Sequence, residues 1–321
     1  MALTDKLVAI GDAIREKTGT TEAITLEDMA ITVSSLPVIK EGITWDEFNE
    51  NGEVIKATYY TNSNKIKDAA FYVMKNNPGV YTNTKTINFP ETITEIGESA
   101  FSYCTSLESV DFSNIEIINR SAFLGCSSLA LSAVPPKLTY LGSGAFSDCP
   151  NVVFSELPSN LTCATSALAS MTGLTTLKLP DGMTEIPGYF CNGCTNLTNI
   201  ELPNSITSLG TWCFSRCMKL ALTSLPSSLV DIQERSFWYC QALAITEIPA
   251  TVQTIGKWAF GYCNAMNTLT FKGTPISLNS EVFTNCNNLT TINVPWAEGE
   301  VANAPWGATK ATINYNYTAE S

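Results

Sequence analysis

Apolar and polar positions recur with a period of 22 or 23 residues from about residue 91 to residue 295. Cysteine is the clearest marker. Cys104, Cys126, Cys149, Cys194, Cys217, Cys240, Cys263 and Cys286 keep this spacing, and the one gap of 45 holds Met171 in the cysteine slot, so nine units result. Eight positions before the marker comes an apolar residue, as at Ile96, Ile118 and Leu141, and three before it an aromatic or large apolar one, as at Phe101, Phe123 and Phe146. Three after it stands Leu107, Leu129 or Val152 in the early units, and proline follows nine after it in seven of the nine.

These slots predict the elements. The stretches LTTLKLP (174–180) and LTNIELP (197–203) alternate apolar with polar and end in a proline that cannot donate to a ladder, the pattern of a short strand. The A-F-x-x-C segment suits a tight helical turn. A single coil cannot bury its own apolar face, whereas stacked coils share a continuous core. At about 4.8 Å per strand, nine coils would span roughly 40 Å. Four units (LALSAVP at 129, VVFSELP at 152, LALTSLP at 220, LAITEIP at 243) shift one apolar residue a place earlier, a second subtype whose strand should start differently.

The ends break the period. Leu3, Leu7, Ile10 and Ile14 lie on one face of an expected amphipathic helix over 3–17, and a second short helix is expected from Leu26 to Ser35, capped by Thr25. Pro37 then marks a boundary. The expected organisation is a helical attachment module over 1–37, an N-terminal cap over 38–90, repeats over 91–295 and a C-terminal cap over 296–321, with a last strand near Ala311–Tyr317. The fold class is a β-rich α/β solenoid, a right-handed leucine-rich repeat stack with a small N-terminal helical module.

Composition narrows the chemistry. Lys and Arg number 18 against 30 Asp and Glu, a net charge of −12, so no basic face for nucleic acid is visible. Histidine is absent, which removes Ser-His-Asp and Cys-His catalysis and histidine metal sites. Glu95, Glu98, Glu185, Glu201, Glu234 and Glu247 are scattered over polar slots, and no pair stands out for glycoside hydrolysis. Neither a signal-peptide-length apolar run nor an 18-residue span appears, so synthesis in the cytoplasm without membrane insertion is expected.

Cys191 and Cys194 form a C-x-x-C pair, and Cys213 and Cys217 follow one coil later, a spacing that resembles a zinc site. All four fall in core slots, however, where free cysteine packs as a small hydrophobe. The eleven cysteines are therefore expected as reduced thiols, with no metal and no cofactor. A different signal lies in the polar slots five, two and one before the cysteine. Early units carry Ser99, Ser102, Ser121, Gly144 and Ser147 there; from the sixth unit onward they carry Trp212, Arg216, Arg235, Trp238, Tyr239, Trp258 and Tyr262. Aromatics and arginine dominate binding hot spots, so this set is the candidate partner-binding surface.

The unit I-x-x-x-A-F-x-x-C-x-x-L-x-x-[IVL]-x-[LIF]-P resembles the BspA-like, Treponema-type leucine-rich repeat over about 91–295. That resemblance implies an elongated solenoid and a role in adhesion or protein binding at a bacterial surface. The segments LVAIGDAIREKTGTTEAITLEDMA and PWAEGEVANAPWGATKATINYNY resemble parts of tail-associated proteins of phages and prophages of gut Firmicutes. Taken together, these point to a non-enzymatic tail-associated protein in a virion. Its N-terminal module would hold a virion tail component, and its repeats would meet a host cell-surface protein or glycan. A bacterial surface adhesin is the alternative, and homo-oligomers are compatible with both.

Overall fold

The computed structural model describes residues 42–72 and 81–318; the two helices expected within 1–37 lie outside them. Ten coils stack along one axis, one more than the cysteine count. The additional coil comes first. Ile66 pairs in parallel with Ile96, and Phe71 stacks on Phe101 with ring centroids 5.1 Å apart. Its sequence, Ile66-x-x-x-Ala70-Phe71-x-x-Met74, is the repeat with methionine at the marker, as in the unit of Met171.

Two parallel ladders run the length of the stack. One consists of two-residue strands eight and nine before the cysteine, such as Glu95–Ile96 and Ile117–Ile118. This ladder divides between Thr162–Cys163 and Glu185–Ile186. Its donor from the residue after the strand is Gly142 to Ile118, Ala164 to Leu141 and Gly210 to Ile186, but Pro187 occupies that place and has no N–H. A cleft of about 710 Å³ marks the division.

The second ladder is the one expected from the L-x-x-[IVL]-x-[LFV]-P stretches, with strands at Thr176–Lys178, Asn199–Glu201, Thr268–Phe271 and Thr291–Asn293. The second subtype interrupts it. In LTTLKLP the inward residues after Leu174 are Leu177 and Leu179, and Thr175 and Thr176 face out together. In LALTSLP they are Leu222 and Leu225, and Thr223 and Ser224 face out. Moving the outward pair into the middle of the strand breaks the period of two that a ladder requires. The units at 129, 152 and 220 therefore hold no strand; the first two keep isolated bridges, such as Leu131 with Val152, and LAITEIP keeps two residues, Glu247–Ile248.

The A-F-x-x-C arm is not helical. Each arm is a run of turns in which alternate N–H groups point two ways. Ala100, Ser102 and Cys104 donate three residues back within the coil, and Ser99, Phe101 and Tyr103 donate to Arg120, Ala122 and Leu124 of the next coil at 2.6–2.9 Å. To aim them so, the residues five and one before the cysteine adopt left-handed backbone, as at Ser99 (φ 55°), Gly125 (φ 72°) and Asp148 (φ 58°), with Glu281 of the last unit the exception. A helix would direct every N–H along the coil and leave neighbouring arms without bonds.

The cysteine slots are buried, and phenylalanine rings stack beside them, Phe237 on Phe260 at 5.6 Å for example. At the far end Thr312–Asn314, inside the expected Ala311–Tyr317, pairs with Thr291–Asn293, and buried Trp306 and Trp296 close the core over Phe271. At the near end two strands, β1 (Gly42–Phe48) and β2 (Val54–Tyr60), form an antiparallel hairpin, with β2 parallel to Thr86–Asn88.

Candidate functional site

The cysteines are inward and thiol-bearing. Each marker Sγ from Cys104 to Cys286 donates to the carbonyl three before the marker of the preceding coil, at 2.9–3.2 Å. Burial pushes the thiols of Cys104, Cys149 and Cys286 up to about 12, which keeps them protonated as donors. Cys191, Cys194, Cys213 and Cys217 are fully buried, and the sulfurs of Cys194 and Cys217 are engaged in this ladder. Among the described residues no group of three or more acidic, cysteine or histidine side chains is placed to hold a metal ion. Cys163 alone is half-buried, in the cleft beside Pro187.

Three of the scattered glutamates pair with different cations. Glu95 meets Lys65, Glu234 meets Arg235 and Glu247 meets Lys272, each in a separate ion pair. Two shallow clefts of about 270 and 370 Å³ flank the bulged residues Thr223–Leu225.

The structure brings all seven residues of the candidate surface together on the arm side. Trp212, Arg235 and Trp258 occupy the slot five before the cysteine in three successive coils. The guanidinium of Arg235 lies 4.6 Å from the Trp212 ring centre and 4.0 Å from that of Trp258. Trp238, two before its cysteine, meets Trp212 edge-on at 5.6 Å and carries Arg216 at 5.4 Å. Tyr239 stacks on Tyr262 at 4.5 Å, and both touch Trp238. Trp238 fits because the next coil has Gly261 in its slot, where a Cβ would come within 3.1 Å of the indole.

Two members escaped the sequence pattern. Tyr189 extends the surface one coil earlier by stacking on Trp212 at 5.8 Å, and it occupies the same slot in the fifth unit. Lys257 sits 4.3 Å from the Trp258 ring and pairs with Glu281. The slot itself would have found Tyr189, but nothing in the spacing singles out Lys257. Arg216 is the exposed cation of the set and Tyr189 its exposed ring, whereas the other rings are half-buried. Cation–π contacts of this kind contribute about 0.5–2 kcal/mol each, and they hold the guanidinium groups in place.

Six of these seven residues share a backbone feature. Trp212, Arg216, Arg235, Tyr239, Trp258 and Tyr262 all have φ between 55° and 65°, as does Tyr189 at 56°. The left-handed region costs roughly 1–2 kcal/mol per ordinary residue, and glycine or asparagine enters it more cheaply. The equivalent slots of the second to fourth repeat units hold Ser121, Gly125, Gly144, Asp148, Ser166 and Ser170. Large side chains have thus been set on a backbone that favours small ones. Two buried polar atoms here also lack a partner, the Trp258 indole N–H and the Ser215 hydroxyl.

Short parallel strands, inward leucines and a buried thiol ladder together define a leucine-rich repeat solenoid. The chain belongs to the BspA-type leucine-rich repeat family, whose model matches six copies over residues 41–172, 80–196 and 184–300. Repeats of this family are typically non-enzymatic binding modules of surface-associated proteins. No curated protein sequence matches the chain. Among solved structures it is similar to a leucine-rich repeat protein of Eubacterium ventriosum, 15% identical over 82% of this chain and 80% of that one, with a TM-score of 0.52. A leucine-rich repeat protein of T. pallidum is 22% identical over 57% of this chain and 89% of that one, TM-score 0.44. A leucine-rich cell surface protein of Faecalibacterium prausnitzii is 21% identical over 85% and 93%, TM-score 0.36. Among the described residues no helix is long and apolar enough to cross a membrane.

Proposed function

We propose that the ledge running from Tyr189 to Tyr262 is the binding surface of a non-enzymatic recognition protein, and that its partner is a protein on a host cell. The observation that carries this reading is the run of tryptophan, tyrosine and arginine on left-handed backbone from Tyr189 to Tyr262, where the slots of the first four repeat units hold serine or glycine apart from Tyr103 and Asp148. Strain of this kind persists where something other than stability selects it.

A protein partner suits the ledge better than a stacked sugar. The indole faces of Trp212 and Trp258 are already covered by Tyr189, Arg235 and Lys257. Ring edges, tyrosine hydroxyls and the Arg216 guanidinium are left to meet acidic and carbonyl groups. The terminal segments, through their resemblance to tail-associated proteins, favour a chain carried on a phage or prophage tail and attached through residues 1–37. Membership of a family of surface-associated proteins supports the second reading, a bacterial adhesin.

Binding of the purified chain to intact bacterial cells tests the ledge. Trp212→Ala, Trp238→Ala and Trp258→Ala combined should reduce cell binding by about a hundredfold or more, as loss of a hot-spot cluster does. Unchanged binding would remove the ledge. Mass spectrometry of purified virions tests the carrier: the chain is present in particles on the first reading and absent on the second.

A further inference from the structure

The break in the short-strand ladder leaves main-chain groups facing each other without a bond. Thr162 and Ala164 direct their N–H groups to Thr139 and Leu141 of the coil before. Successive residues of a strand aim their main-chain groups at opposite edges, so Cys163 turns its N–H and C=O toward the next coil. Thr184 and Ile186 accept from Thr207 and Gly210 on the far side, so Glu185 turns its own pair back toward Cys163. No bond joins the two strands. The N–H that would reach the Cys163 carbonyl is missing at Pro187. Its ring also holds the strands apart: at Gly97, Gly142, Gly210 and Gly256, in the same slot, an added Cβ would come within 2.5–2.6 Å of the preceding coil. The two coils remain joined elsewhere, by Ser166 to Gly188 and Leu168 to Phe190 along the arm, both at 3.0 Å, and by Thr176–Lys178 with Asn199–Glu201. The cleft of about 710 Å³ is thus a preformed opening in one side of the stack.

We infer that this cleft takes up an extended segment of a partner polypeptide, which pairs through its main chain with the edges at Cys163 and Glu185. Donors and acceptors alternating along a strand edge are what another strand satisfies. Side chains define the segment further. Leu141, Ile186 and Leu209 fill the slot of Cys163 in other coils and are fully buried, whereas Cys163 is smaller and half-buried. An apolar side chain of the incoming segment completes that column. Glu185 is exposed and is the one charged residue lining the cleft, so a segment carrying lysine or arginine fits and an acidic one does not. None of the ledge residues lines the cleft, and the two surfaces stand or fall separately.

Amide exchange followed residue by residue by NMR on the full chain tests the inference. The probe is a synthetic peptide of residues 137–144, KLTYLGSG, a strand of the stack that carries a lysine. In the free chain the amides of Cys163 and Glu185 should exchange about tenfold or more faster than those of Thr162 and Ala164. A large excess of peptide should slow both by about tenfold or more, and the same peptide N-methylated at the positions of Tyr140 and Leu141 should not. Pro187→Gly supplies the missing donor, so both amides should be slow without peptide and unaffected by it. Unaltered protection of the arms from Cys104 to Cys286 shows that the variant is folded; where it is not, Pro187→Ala, matching Ala164 of the unit before, replaces it. Slow exchange at Cys163 and Glu185 in the free parent would overturn the inference. So would protection that grows with protein concentration alone, which would assign the gap to a second copy. Parent amides that ignore the peptide, or that respond equally to its N-methylated form, would overturn it as well.

Discussion

The thiol of Cys240 donates to the carbonyl of Phe214 in the preceding coil, 3.0 Å away, and the same oxygen accepts the N–H of Cys217 at 3.1 Å. One carbonyl thus fastens its own turn and the coil that follows. Cysteine suits the slot because it is apolar enough to bury and still carries a donor. Cys240→Ala removes both the bond and the sulfur volume, and it should lower unfolding free energy by about 1–3 kcal/mol. Denaturant unfolding measures this. A loss no larger than that of an exposed substitution such as Lys219→Ala would show that the thiol ladder contributes nothing.

Stability should also fall in alkali. Folded Cys104, Cys149 and Cys286 have their thiols pushed up to about 12, from 9.0 in the unfolded chain. Below pH 9 both states hold the proton and the full stability is present. As pH rises from 9 toward 12 the unfolded chain releases protons that the folded one retains, and unfolding gains. Each such thiol contributes a slope of about 1.4 kcal/mol per pH unit. Melting temperatures recorded from pH 7 to pH 11 should be level at first and then drop steeply. A flat profile to pH 11 would mean that the sulfurs meet water.

The reactivity of the thiols follows from the same burial. At pH 8 an alkylating reagent should label the native chain slowly and the denatured chain at all eleven cysteines, with Cys163 first in the native state because it alone is half-buried. Intact-mass measurement over time gives the order. Early labelling at Cys217 or Cys240 would contradict their placement.

The stack was readable from sequence because every coil repeats one burial pattern, and nine cysteine or methionine markers kept one register. The candidate ledge was readable for a related reason: side chains in one slot of successive coils become neighbours once the coils stack, as Trp212, Arg235 and Trp258 do. Backbone direction was not readable. A-F-x-x-C reads as helical by composition, and only the bonds between coils force Ser99 and Tyr103 into left-handed backbone. The first coil was hidden because Met74 replaces the marker and the hairpin before it belongs to no repeat. The division of the short-strand ladder needed one missing N–H, at Pro187, to be matched to a carbonyl in another coil.

Arg216 separates stability from recognition. It is exposed, its φ is 61°, and it rests on Trp238 at 5.4 Å. Arg216→Gly removes a left-handed cost of roughly 1 kcal/mol and a cation–π contact of about 0.5–1 kcal/mol. Unfolding free energy should therefore stay level or rise slightly, while binding to cells weakens. The combination is the mark of a residue kept for its surface. A variant that loses stability and retains binding would assign Arg216 to the fold.

The two repeat subtypes differ by the exchange of one inward and one outward position, and that exchange can be reversed. In the unit at 220 Leu222 faces in and Thr223 faces out; in the unit at 197 the equivalent Asn199 faces out and Ile200 faces in. Leu222→Thr with Thr223→Leu restores the alternation while conserving composition. Residues 222–224 should then pair with Asn199–Glu201, extending the two-stranded sheet that now ends there. Their amides should exchange more slowly, by about tenfold or more, and the bulge at Thr223 and Ser224 should flatten. Thr223→Leu alone places two leucines side by side and leaves one of them in water, so it should destabilise the chain where the double exchange does not. Equal exchange rates in the double variant and the parent would show that the break in the ladder has another cause than the order of these two residues.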